Sequence, residues 1–180
     1  EISGMPVDLS SPAHYGLALL PEIVLSVWAM VVLLVDVFQK GSRSEPSSAS
    51  MPWLTLTGIG LAAIANAWMS GLSDVGAPGV IAVDAFRVFS NYVFLLCAAL
   101  FILISTRFID EERLRLGELY VLIMYATVGM MIFAGATELM VMFIALELMS
   151  LPIYILTGIN RRDRRSAEGA LKYFLLGAFS

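Results

Sequence analysis

Residues 138–159 read ELMVMFIALELMSLPIYILTGI, a run long and apolar enough to cross a bilayer yet carrying a carboxylate inside it. A spanning helix needs about 20 such residues, because the hydrocarbon core is ~30 Å thick and each residue rises ~1.5 Å. Glu147 then lies roughly 14 Å from one end and roughly 18 Å from the other, near the midplane. A carboxyl group at that depth is costly, and such groups face a bundle interior or a water-filled path.

Comparable runs recur along the chain, at 17–38, 52–70, 85–106 and 117–134, with a sixth begun at 166–180. The sequence is 59% apolar and 14% charged, against roughly 45–50% and about 25% in soluble domains. The expected fold class is therefore an all-α polytopic membrane protein with five complete transmembrane helices and the start of a sixth. The sixth run has only about 15 residues, short of a full span. Ending mid-span, the chain reads as the N-terminal part of a longer one, and with Glu at position 1 an initiator Met has been lost or the chain is a piece.

Local signals fix the helix ends. Pro21 fits a first turn, where N–H groups have no intrahelical partner, and Glu22 follows where the helix dipole favours an anion. Asp36 can pair with Lys40 at i,i+4; both acids read as interfacial. A Ser-rich polar loop fills 39–51, and Trp53 and Trp68 mark opposite ends of the second run. Asp84 is placed to N-cap the third helix, and Arg87 either pairs with Asp84 or snorkels to the interface. The charged segment 107–116 precedes the fourth helix, a tight turn at 135–137 makes the fourth and fifth helices antiparallel neighbours, and Ser166 is expected to cap the sixth.

Lys and Arg concentrate in loops 39–51, 107–116 and 160–165, whereas the N-terminal segment and the other two loops have none. The positive-inside rule then puts the N-terminus outside and those three loops in the cytoplasm, most simply of a bacterial inner (plasma) membrane. The segment before the first run has no Lys or Arg, so that run reads as a permanent helix, not a cleaved signal. The single cysteine, Cys97, cannot make an internal disulfide, an iron–sulfur site or a zinc site. Neither Gly-rich nucleotide fingerprint occurs. No cofactor is expected in this chain, and no nucleic acid as partner.

On the fifth helix Glu147, Ser150, Tyr154 and Thr157 recur at i, i+3, i+7 and i+10, within about an 80° sector. They form one polar stripe, a possible water or proton path. Pro152 cannot donate to the Leu148 carbonyl, and the freed acceptor beside a buried acid is a place for water. Burial raises a carboxyl's proton affinity and a nearby cation lowers it, so a moving charge could make Glu147 take up and release a proton. The structural alternative is a Glu that only holds helices together. Lys172, with Glu168 one turn before it, is either a second proton-carrying group or an interfacial ion pair.

The run MYATVGMMIFAGATELMVMFIALELMSLPIYILTGINRRDRRSAEGALKYFLLGAFS resembles the antiporter-like subunit N of respiratory complex I (NADH:quinone oxidoreductase), a family with mitochondrial and photosynthetic counterparts. LLPEIVLSVWAMVVLLVDVF and DAFRVF fit the same family more loosely. The resemblance implies a membrane-arm subunit of about fourteen helices in two inverted repeats. Residues 1–116 would be an N-terminal three-helix segment, and 117–180 the start of the first repeat. It also implies that Glu147 works in a proton half-channel with a seventh-helix lysine beyond this sequence, and that Lys172 is a further channel group. The partners would be other membrane-arm subunits and lipid, with flavin, iron–sulfur clusters and quinone in other subunits. Rival functions are a subunit of a cation/proton antiporter of the same fold, or a purely structural membrane subunit.

Overall fold

A computed structural model describes residues 16–41, 50–71, 80–112, 116–160 and 163–179. Most of the Ser-rich loop, the Asp74 to Gly79 part of the next loop, Arg161, Arg162 and the Lys40 side chain lie outside the described residues.

Among the described residues the regular structure is helical, save one isolated bridge between Ile81 and Ala136. Its helices are α1 (Leu20–Gly41), α2 (Ser50–Ser70), α3 (Ala85–Glu112), α4 (Leu116–Gly135), α5 (Leu139–Thr157) and α6 (Arg164–Ala178). Four of them, α1, α3, α4 and α5, are long and apolar enough to cross a membrane, so the chain is a multi-pass membrane protein. The fifth span expected from the sequence, the 21-residue α2, is not among these four. Its buried face toward the bundle carries Thr55, Gly58 and Asn66 among small and apolar residues. Trp53 and Trp68 are exposed near its two ends, where interfacial anchors belong.

Helix α4 is the hub. It packs against α1, α3 and α5, and more lightly against α2, whereas α5 packs mainly on α4 and α6 among the described residues. Leu25, Ala29 and Val32 of α1, Ile59 and Ala62 of α2, and Leu95 and Ile102 of α3 close around Tyr120, Met124, Val128 and Met131 of α4. Association inside a bilayer rests on close packing more than on expulsion of water, and small residues permit it. The α4–α5 contact depends on such a residue. A Cβ at Gly129 would lie 2.5 Å from the Met149 backbone nitrogen, so only glycine lets the two helices approach this closely.

The end of α3 and the start of α6 differ from the sequence reading. Helix α3 continues to Glu112, six residues past its expected end, because nothing from Arg107 to Glu112 is a Pro or Gly that would stop it. The charged loop 107–116 is therefore largely helix. The cap of α6 is Asp163, whose carboxylate accepts from the Arg165 N–H at 3.0 Å. Ser166 lies inside the helix and donates its hydroxyl to the Thr157 carbonyl at 2.7 Å, tying α6 to the end of α5. A carboxylate three residues earlier outcompetes the serine, since it can reach the free N–H groups of the first turn. Elsewhere the cap is as expected: Asp84 Oδ1 accepts the Arg87 N–H at 2.8 Å.

Candidate functional site

Glu147 is the ninth residue of the 19-residue α5, roughly 12 Å from its start and roughly 15 Å from its end. Its place at the middle of the apolar run is thus kept by the helix as folded. The side chain is half-buried, and among the described residues it has no ion pair or hydrogen bond. The helix runs unbroken through Pro152, which is buried together with Ala145 and Ser150.

The polar stripe is divided between two environments. Ser150 donates to the Leu146 carbonyl at 2.7 Å and Thr157 to the Ile153 carbonyl at 2.9 Å, so both hydroxyl protons are committed to α5 itself. Each oxygen remains an acceptor, able to take a hydrogen bond from water. Tyr154 stands edge-on to Tyr173 and Phe174, with ring centroids 4.8 Å and 5.8 Å away, and its hydroxyl occupies the space beside Gly177. Helix α6 therefore packs on Tyr154 and reaches the Thr157 carbonyl through Ser166, while the Thr157 side chain stays exposed. Glu147 lies seven residues, roughly 10 Å, farther along α5.

Lys172 is not brought to Glu147. Its ammonium lies 2.7 Å from Glu168 Oε1, on the exposed side of α6 with 70% of the lysine side chain accessible. This is the i,i+4 pair expected from the sequence.

A second ionisable centre is more deeply buried. Arg87 is fully enclosed, and its Nη2 donates to Glu22 Oε1 at 2.7 Å and to the Ala18 carbonyl at 2.9 Å. Nη1 donates to the Ala82 carbonyl at 3.1 Å. Glu22 is itself only 2% exposed, so both groups turn into the bundle and Arg87 does not snorkel. Asp84 spends its carboxylate on the helix cap, not on the guanidinium. Asp36 is buried too, at 8% exposure, with its carboxylate against Gly117 in the first turn of α4. One turn from Arg87, Asn91 donates to Asn66 Oδ1 at 3.0 Å, and Asn66 donates to the Val88 carbonyl at 3.0 Å.

A signal for the Glu22–Arg87 pair was present in the sequence. Both residues occupy the first turn of an apolar helix, and alternating topology puts the starts of the first and third helices on one side of the membrane. What the sequence lacks is the convergence of the starts of α1 and α3, which the packing of both on α4 supplies.

Apolar spans enclosing paired and unpaired ionisable groups define the class: a polytopic helical membrane protein with charge held inside its bundle. Residues 136–180 match the family described as "NADH:quinone oxidoreductase/Mrp antiporter, TM". NADH-quinone oxidoreductase subunit N of Trichlorobacter lovleyi is 44% identical over 165 residues, covering 90% of this chain and 32% of that protein. Subunit N 2 of Koribacter versatilis is 40% identical over 169 residues, covering 90% of this chain and 34% of the relative. NAD(P)H-quinone oxidoreductase subunit 2 of Gloeobacter violaceus is 38% identical over 177 residues, covering 98% and 33%. The chain belongs to this subunit N family. It spans about a third of the length of the curated relatives it matches.

Proposed function

We propose that the chain is part of a membrane-arm subunit of a proton-pumping NADH:quinone oxidoreductase, and that Glu147 is a proton-carrying group in it. The observation that carries this is a half-buried carboxyl at the middle of an apolar span, without a partner among the described residues. Its environment can be reset by a charge arriving from outside these residues, as a lysine on a following helix would do. Two buried groups coupled that closely titrate as a pair. Ser150, Tyr154 and Thr157 offer acceptor oxygens toward the C-terminal end of α5, where water could extend the path.

Lys172 has the weaker claim, being held by Glu168 at the exposed side of α6, and its role as a second proton carrier rests on family resemblance. The redox groups of the enzyme, flavin, iron–sulfur clusters and quinone, belong on this reading to other subunits, which are also the chain's partners in the membrane arm. The N-terminus faces outside and the basic loops face the cytoplasm of a bacterial inner membrane.

The test is Glu147→Gln in the assembled enzyme, with NADH oxidation and proton uptake measured together in membrane vesicles. The expected result is a lower ratio of protons moved to NADH oxidised, with assembly intact. An unchanged ratio in a fully assembled enzyme sinks the proton role.

The matched family description also names Mrp antiporters, which supports a second reading as a subunit of a cation/proton antiporter. Purification of the native complex separates the two: NADH dehydrogenase activity travels with the chain on the first reading and is missing on the second.

A further inference from the structure

Arg87 reaches beyond its own salt bridge. The Ala82 carbonyl that accepts from Nη1 belongs to the residue whose N–H donates to the Gly135 carbonyl at 2.7 Å. The Thr137 N–H donates to the Val80 carbonyl at 3.1 Å, so the strand-like segment before α3 is pinned to the turn between α4 and α5. The guanidinium also packs on that turn directly. A Cβ at Gly135 would lie 2.6 Å from Arg87 Cδ and 2.7 Å from Nε. That turn opens α5, on which Glu147 sits nine residues after Glu138, the residue that begins the helix.

We infer that Arg87 is a positioning residue for Glu147. It ties α1, through Glu22 and the Ala18 carbonyl, and the start of α3, through Ala82, to the turn that sets the depth and rotation of α5. Helix α5 needs such an anchor. Among the described residues it packs mainly on α4 and α6, and Ala145, Ser150 and Pro152 are its buried residues. A rigid helix turns a small shift at its first residue into an equal shift of the carboxyl twelve or so ångströms away, and geometry of that order governs proton transfer. Arginine suits the task because its rigid planar fork fixes the directions of its donors, whereas lysine's three donors turn on a compact ammonium at the end of a flexible stem. The inference rests on the proposed proton role of Glu147, but it makes a prediction about the position of that carboxyl that stands apart from pumping.

The experiment uses the assembled enzyme in native membranes and follows carbodiimide labelling of the Glu147 carboxyl, quantified by peptide mass spectrometry, with Glu147→Gln as the unlabelled control. Two variants perturb the anchor differently. Gly135→Ala keeps every charge but drives a methyl group into Arg87. The Glu22→Leu/Arg87→Met double variant removes both charges together and keeps the volume apolar, so the bundle can still assemble. The expected result is a severalfold change in the labelling rate of Glu147 in both, accompanied by a lower proton-to-NADH ratio. Native labelling rates in both assembled variants would overturn the inference. Should labelling respond while Glu147→Gln pumps normally, the anchor stands and the proton role falls.

Discussion

Glu22→Leu is the sharpest stability test of the bundle. It removes the carboxylate and leaves the Arg87 guanidinium fully enclosed, with only the Ala18 and Ala82 carbonyls as partners. Breaking a buried pair from one side costs about 3–5 kcal/mol, because a charge is stranded in low dielectric. At ~1.4 kcal/mol per tenfold, that is a fall of roughly two to three and a half powers of ten in the folding constant. The pair's own net contribution is far smaller, since desolvation of both ions offsets most of their attraction. Glu22→Leu/Arg87→Met should therefore recover most of the loss and come out near neutral. The assay is a double-mutant cycle on the purified protein in mixed micelles, titrated with a denaturing detergent and followed by circular dichroism. A single-variant cost under about 1 kcal/mol, the range of exposed pairs, would refute the enclosed geometry. So would strict additivity of the two changes, since residues in contact must couple.

Other outcomes follow from the same contacts. Asn91→Ala removes the donor to Asn66 Oδ1 and leaves a buried acceptor unpaired, costing about 1–3 kcal/mol in the same titration, whereas Asn66→Leu/Asn91→Leu should be milder than either single loss suggests. Gly129→Val pushes a side chain into the Met149 backbone and should cost about 1–3 kcal/mol or block assembly, read as the amount of complex resolved on a native gel. Lys172→Gln breaks only an exposed i,i+4 pair, so stability should move by no more than about 0.5 kcal/mol; a fall in the proton-to-NADH ratio would then mark Lys172 as a proton carrier, and an unchanged ratio as a surface tether.

The sequence by itself determined a good deal. Apolar runs of spanning length located the helices, since a bilayer admits few other ways to satisfy the backbone. The three residues at 135–137 allowed only an antiparallel α4–α5 hairpin, and α4 and α5 are packed neighbours. Asp84 announced its cap, and Glu147 its depth, because both depend on position along one helix and on nothing beyond it. Local information failed where two candidates competed. Ser166 was a plausible cap for α6, but Asp163 holds that place and the serine hydroxyl turns to Thr157 instead.

Only the tertiary structure decided which helices are lateral neighbours. Read along their own helices, Glu22 and Arg87 were a dipole partner and a snorkelling cation. Placed side by side by α4, they become one enclosed ion pair between residues 65 positions apart. The same placement explains why α2 tolerates Thr55 and Asn66: their polar atoms have partners inside the bundle, which hydropathy along the chain cannot register. Depth in the membrane is a one-dimensional quantity and is written in the chain. Partnership across the membrane plane is two-dimensional, and folding has to supply it.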